Sequence, residues 1–241
     1  MELVKRNYKI LLLIIVIFHV GCTTNSKKVF TISGKLTNYK NEPLPDGIVR
    51  LKGKKFEDLY EVKTDSNGKF LLKAPMGQYL GLYAVKDYGE KYLEFWYWDL
   101  FLNRNVTKNI KIDTLEVYGL KAWKTFNGLM VYFRPMSLLK YKKLGAKGPN
   151  DPIAKNKSIF PSLESSSIKV SVNNLPVKIL RLQKVFEVTS KDGRTVEGLL
   201  LNTSFPRKFR LEKTHLEICI DIHDEVTDER GMACQDTLNL P

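Results

Sequence analysis

Residues 92–101, YLEFWYWDLF, decide how this chain is read. In an extended strand successive side chains point to opposite faces, and here both sets are apolar. Tyr92, Trp96 and Trp98 fall on one side with Glu94, while Leu93, Phe95, Tyr97 and Phe101 fall on the other with Asp99. Such a strand is either buried between two layers or displays an aromatic face that binds something. Trp96, Tyr97 and Trp98 are therefore candidate stacking residues for a glycan ring, with burial against a second layer as the competing reading.

Upstream, strand signals recur at close spacing over residues 29–36, 48–52, 60–64, 70–73 and 79–86. They are rich in aromatic and β-branched residues and are separated by Gly, Pro, Asn and Asp. Downstream, residues 118–138 carry Asn127-Gly128 between two apolar runs, a hairpin signal. Residues 139–161 change character, with Lys140, Lys142, Lys143, Lys147, Lys155 and Lys157 against Asp151 as the single acid. That stretch reads as a solvated loop, or as a basic segment lying on an anionic membrane surface. Strand signals resume at 168–172, 177–188, 196–202, 211–222 and 233–240, with a turn at Lys191-Asp192-Gly193-Arg194. Beyond residue 21 no useful length of chain shows a 3.6-residue stripe, so the expectation is an all-β fold.

The N-terminal half carries a more specific pattern. Gly34 opens a strand that runs into NYKNEPLPDGIVRL at 38–51, followed by TDSNGKF at 64–70 and GQY at 77–79. This pattern resembles the carboxypeptidase regulatory-like domain over about residues 29–112. The resemblance implies a transthyretin-like seven-stranded β-sandwich, an accessory module and not the catalytic domain, often a spacer or docking unit in lipoproteins of Bacteroidetes-type bacteria. The residues also make physical sense by themselves. Asp65-Ser66-Asn67-Gly68 can close a hairpin, with Asp or Asn bonding the turn backbone and Gly68 taking positive φ. The turn lacks the acidic positions and distal Glu of an EF-hand loop, which favours a plain turn over a calcium site.

Towards the C-terminus the alternation is clean: Leu216, Ile218, Ile220 and Ile222 share one face and His215, Glu217, Cys219, Asp221 and His223 the other. The polar set is the one cluster with metal-ligand chemistry. Neighbours two apart on a strand are separated by about 6.8 Å, too far for one strand to wrap a tetrahedral ion. No metal and no cofactor is therefore expected. The sequence contains no Gly-x-Ser-x-Gly elbow, His-Glu-x-x-His, P-loop or Cys-x-x-Cys, and the expected function is non-enzymatic.

The first 22 residues, MELVKRNYKILLLIIVIFHVGC, supply an address. Lys5, Arg6 and Lys9 precede an apolar run at 10–18, the arrangement of a secretory signal and too short to span a bilayer. Val20-Gly21-Cys22 resembles the lipobox of bacterial lipoproteins, which implies cleavage before Cys22 and lipid on its sulfur. The membrane would then be reached through Cys22 alone. With Cys22 so used, Cys219 and Cys234 are a candidate disulfide in an oxidising compartment, two free buried thiols being the alternative. The formal net charge of +13 falls to +11 once residues 1–21, with three bases and one acid, are removed. A basic surface favours anionic partners, and export argues against nucleic acid. Surface-exported lipoproteins of that group often carry acids just after the lipidated cysteine, whereas this chain has Thr23-Thr24-Asn25-Ser26 and then Lys27-Lys28, which favours an outer-membrane anchor facing the periplasm, with surface display as the alternative.

The resulting organisation is a lipoprotein signal peptide at 1–21, a tether at 22–28 and a regulatory-like β-sandwich at 29–114. A connecting β-hairpin at 115–138, a basic loop at 139–161 and a second β-sandwich-like domain at 162–241 follow. The expected role is a membrane-anchored binding or assembly module with an envelope protein partner, or a carbohydrate-binding component of a glycan-uptake system. A hydrolase with an unrecognised site is the remote third.

Overall fold

The computed structural model describes residues 28–145, 159–188, 195–206 and 216–237. Cys22 and its signal, the turn at 191–194, His215 and most of the basic stretch lie outside the described residues. Within them the chain is nearly all β. In chain order the strands begin with β1 (Val29–Thr37), β2 (Ile48–Lys52), β3 (Asp58–Lys63), β4 (Lys69–Pro75), β5 (Gly77–Gln78) and β6 (Gly81–Val85). Next come β7 (Phe95–Trp98), β8 (Phe101–Leu102), β9 (Val106–Thr107), β10 (Ile110–Lys111), β11 (Leu115–Lys124) and β12 (Gly128–Ser137). The rest are β13 (Ile168–Val172), β14 (Leu175–Val177), β15 (Ile179–Val188), β16 (Thr195–Ser204), β17 (Leu216–Asp224) and β18 (Glu229–Thr237).

Three layers of sheet are stacked face to face. The middle layer is an eight-stranded sheet in the order β14-β13-β17-β18-β7-β6-β2-β3. On one side lies a four-stranded sheet of β1, β4, β9 and β10, and on the other the sheet β11-β12-β16-β15. Alternation along the middle strands feeds both interfaces. Leu82, Ala84, Phe95, Tyr97 and Cys234 enter the core shared with β1 and β4. Tyr83, Val85, Trp96, Trp98 and Ala233 enter the core shared with β11, β12 and β16. This is why the 92–101 segment is apolar on both faces: β7 is sandwiched. Its Trp96 and Trp98 rings stack with centroids 4.3 Å apart, and Tyr118 meets Trp98 edge-on at 5.4 Å, contacts that add about 0.5–1.5 kcal/mol each beyond area burial.

The parallel register Trp96↔Ala233, Tyr97↔Cys234 and Trp98↔Gln235 joins β7 to β18. One sheet thus draws strands from both sides of the expected boundary at 114/115. The segment expected as a connecting hairpin is part of a core layer, since β12 pairs along β16 from Gly128↔Ser204 to Phe133↔Leu199.

Local turns refine the sequence reading. The Asp65–Gly68 turn has the expected chemistry, with Asp65 Oδ1 accepting the Asn67 and Lys69 amides at 2.9 and 2.8 Å and Gly68 at φ +72°. It does not close a hairpin, however: β3 pairs with β2 and β4 with β1, so the turn is a corner between layers. Gly128 likewise starts β12 instead of sitting in the turn, and a Cβ there would meet the Thr203 carbonyl oxygen at 2.3 Å. Part of the expected basic loop is the helix α1 (Leu138–Lys143), whose Ser137 cap accepts the Lys140 amide at 3.0 Å. The buried Glu229 accepts the Leu139 amide at 3.0 Å, anchoring the same end to β18.

Cys219 and Cys234 face each other across the antiparallel β17–β18 pair and form a disulfide, with Cα atoms 4.1 Å apart. Cys219 is partly exposed and Cys234 fully buried. An attacking thiolate therefore reaches only Cys219, and would expel the Cys234 thiolate into an apolar core, a poor leaving site. The bridge is structural. On the opposite face of the middle sheet, Glu116 of β11 is fully buried beside Glu94, whose Oε1 accepts the Trp96 indole N–H at 2.6 Å. Burial, reinforced by the nearby Glu94 carboxylate, holds the Glu116 carboxyl well above its ordinary range.

Trp96→Ala is expected to cost about 3–5 kcal/mol in denaturant unfolding. Because one sheet serves both cores, Trp fluorescence and far-UV circular dichroism should then report one transition; two separated transitions would show that the cores melt independently. Replacing Cys219 and Cys234 together by alanine, which opens a bridge of 15-residue separation, should remove about 3 kcal/mol. For Glu116 the sign follows from proton binding. The folded protein keeps a proton that the unfolded chain releases near 4.5, so this group's contribution is intact below that pH and is lost as pH rises towards the raised folded value. Glu116→Gln keeps the shape of the side chain without the titration. Thermal melts across pH should show the variant converging with wild type in acid and exceeding it by about 1–3 kcal/mol at neutral pH; parallel profiles would refute the assignment.

Candidate functional site

The layer of β1, β4, β9 and β10 is narrower than the middle sheet it packs on. It covers β2, β6 and β7, and leaves the same face of β17 and β13 only partly covered. That partly open face is the floor of an open groove of about 810 Å³. Glu217, Cys219 and Asp221 of β17 lie along the floor with Lys169 and Ser171 of β13. The opposite alternation of β17, with Ile218, Ile220 and Ile222 at 0% exposure, is buried in the core beneath. One wall is the β9–β10 corner at Thr107, Lys108 and Asn109, and the other the β13–β14 turn at Asn174 and Pro176.

The first wall is held to β1 by hydrogen bonds over a long sequence separation. Asn105 and Asn109 side chains accept the Thr31 and Lys35 amides at 3.0 and 3.1 Å, and the Lys108 amide donates to the Ser33 carbonyl at 2.8 Å. The close approach requires Gly34, where a Cβ would sit 1.9 Å from the Lys108 carbonyl oxygen. The leading glycine of the N-terminal pattern therefore serves contact between chains of the same layer.

This scaffold aims Lys108 at the floor. Its ammonium lies 2.9 Å from Glu217 Oε1, 3.4 Å from Cys219 Sγ and 5.1 Å from the centre of the Tyr97 ring. Lys108 is only 9% exposed, so its charge is held by a partner of opposite sign instead of by water. Burial pushes the Tyr97 hydroxyl far above its usual range, and the adjacent Glu217 carboxylate adds to the effect. Burial also raises Asp221, opposed by the positive charges of Lys169 and Arg230. The groove thus presents fixed charges of both signs with hydroxyl and amide groups between them.

The structure sorts the expected site residues. Cys219 and Cys234 are brought together as the disulfide. Trp96, Tyr97 and Trp98 are 3%, 3% and 5% exposed, so the reading of these rings as a sugar platform is corrected: both ring faces are spent on neighbouring layers. Glu217 and Asp221 share the groove, whereas His223 turns to Asp228, Nε2 to Oδ1 at 2.7 Å. Glu217, Cys219 and Cys234 offer ligand atoms within 4.8 Å of one another, but both sulfurs are bonded to each other and Glu217 is held by Lys108. Those residues do not fit a metal ion. Lys108 was not visible to sequence reasoning, because it stands in a short polar run that reads as loop.

No family model matches this chain, and no curated protein matches it. Among solved structures it is similar to a DUF3823 family protein from Bacteroides ovatus, at 12% identity over 88% of this chain and 96% of that one, with a TM-score of 0.28. A DUF3823 family protein from Parabacteroides merdae gives 10% identity, 88% and 99% coverage, and a TM-score of 0.26. BcpA, the major pilin subunit of Bacillus cereus, gives 12% identity, 89% and 69% coverage, and a TM-score of 0.28. At these identities and TM-scores the likenesses carry no argument about fold or function.

Proposed function

We propose that the chain is a non-enzymatic binding module of the bacterial envelope, anchored by lipid on Cys22, whose groove beside Lys108 holds a polar segment of an envelope protein. The observation that carries this reading is the partly open floor of β13 and β17, a preformed surface on which Lys108 and Glu217 are fixed by their ion pair. Fixed charges of both signs select a partner by complementary charge. They suit a peptide segment better than a neutral glycan, and among the described residues no aromatic side chain lines the groove. The disulfide fits an oxidising compartment. The resemblance of residues 29–112 to a docking module points the same way, and the signal, the lipobox and the residues after Cys22 favour an outer-membrane anchor facing the periplasm over surface display. Acyl chains on Cys22 hold it there at about 0.8 kcal/mol per buried CH₂, which leaves the folded part free to bind.

Ser171 lies on the floor and is only partly buried, so Ser171→Arg fills the groove without opening a core. Crosslinking in native membranes should recover a protein partner with the wild-type chain and recover it at least about tenfold less with Ser171→Arg. Equal recovery would move the binding site elsewhere, and loss of glycan-array binding in the same variant would favour a glycan in the groove. Cys22→Ala should shift the chain from the membrane fraction to the soluble one; an unchanged distribution would overturn the anchor.

A further inference from the structure

Strand β15 ends the sheet β11-β12-β16-β15, and among the described residues nothing pairs with its outer side. It is ten residues long and not one of them is buried. Leu180, Phe186 and Val188 are 59%, 63% and 66% exposed. Soluble proteins usually shorten, charge or kink such an edge, since its unpaired amides and carbonyls invite another strand. The one irregularity here lies at the Ile179/Arg181 end, and the pairing with β16 is regular from Arg181↔Asn202 to Val188↔Thr195.

The residue order along this edge is complementary to itself. We propose that β15 is the interface of a two-fold dimer, pairing antiparallel with β15 of a second copy about Lys184. This proposal goes beyond ligand binding in the groove and does not depend on it. In that register Arg181 lies opposite the partner subunit's Glu187, and Leu182 opposite the partner subunit's Phe186. Gln183 faces the partner subunit's Val185, and Leu180 the partner subunit's Val188. Directly opposed residues of an antiparallel pair share a face, so the two sheets continue as one with their core faces aligned. The two-fold also repeats the Arg181–Glu187 pair, giving two ion pairs and a closed assembly that cannot grow into a fibre.

The charges on the edge are placed for this. Arg181 is exposed and has no ion pair among the described residues. Glu187 reaches back over β16, its Oε2 accepting the Tyr132 hydroxyl at 2.6 Å with Arg134 Nη1 at 3.7 Å, and turns outward to meet the partner subunit's Arg181 in the dimer. Lys184, which meets its own copy at the axis, is drawn onto its own chain by Glu197 at 3.4 Å and by the Phe160 ring at 4.6 Å. Shifting the register by two residues either way sets Lys184 against the partner subunit's Leu182 or Phe186 and breaks the Arg181–Glu187 pairs. Of these three registers, only the one about Lys184 sets Arg181 against the partner subunit's Glu187 and Leu182 against the partner subunit's Phe186, which offsets the meeting of the two Lys184 side chains.

The test is sedimentation of the full chain, extracted in detergent from membranes of expressing cells. Wild type should be a dimer. Arg181→Glu, which opposes two carboxylates, should weaken self-association by about tenfold or more, and Glu187→Lys should do the same from the other side. Combining Arg181→Glu with Glu187→Lys should restore the dimer, with circular dichroism confirming that each variant is folded. A monomeric wild type overturns the proposal, as does a dimer indifferent to either single reversal or a double variant that stays monomeric.

Discussion

The parallel pairing of β7 with β18 is the constraint on which the rest of the structure depends. Hairpins between neighbouring strands would by themselves build two separate packets, one from each half of the chain. Three register pairs along Trp96, Tyr97 and Trp98 fuse them into one sheet with a core on either face. Once β7 lies inside, all four of its side chains are buried. The same packing buries Glu116 of β11 beside Glu94 and holds a proton on the Glu116 carboxyl.

The groove is a second product of the same arrangement. The middle sheet has eight strands and the layer beneath it four, with two of these, β9 and β10, only two residues long. That mismatch leaves polar side chains of β17 facing solvent within a concave surface instead of a core. The disulfide fixes β17 to β18 at the point where cover ends, so the edge of the groove is covalently braced.

Much of this was legible from period-two patterning. The alternation at 216–222 set one face inward, and Asp65 and Gly68 made the turn that their chemistry calls for. The two-faced apolar run at 92–101 favoured a buried strand while still admitting an aromatic binding face, because pattern alone does not say what covers a surface. Partnership between distant strands was not legible. The β3–β4 turn read as a hairpin because a turn sequence specifies the reversal and not the sheet that each arm joins. Lys108 escaped for a related reason: its importance comes from Glu217 and Tyr97, more than a hundred positions apart in one case, and nothing in its immediate neighbourhood marks it.

The position of β18 has a consequence for how the molecule is made. It is the last of the described strands, and it completes the hydrogen bonding of a strand synthesised much earlier. Long-range parallel pairing is slow because the intervening chain must be ordered first. Until β18 arrives, β7 has one unpaired edge and two tryptophan rings without their full cover. A nascent chain of this design therefore carries an unfinished sheet until residues 229–237 are made, and that strand decides whether both cores close.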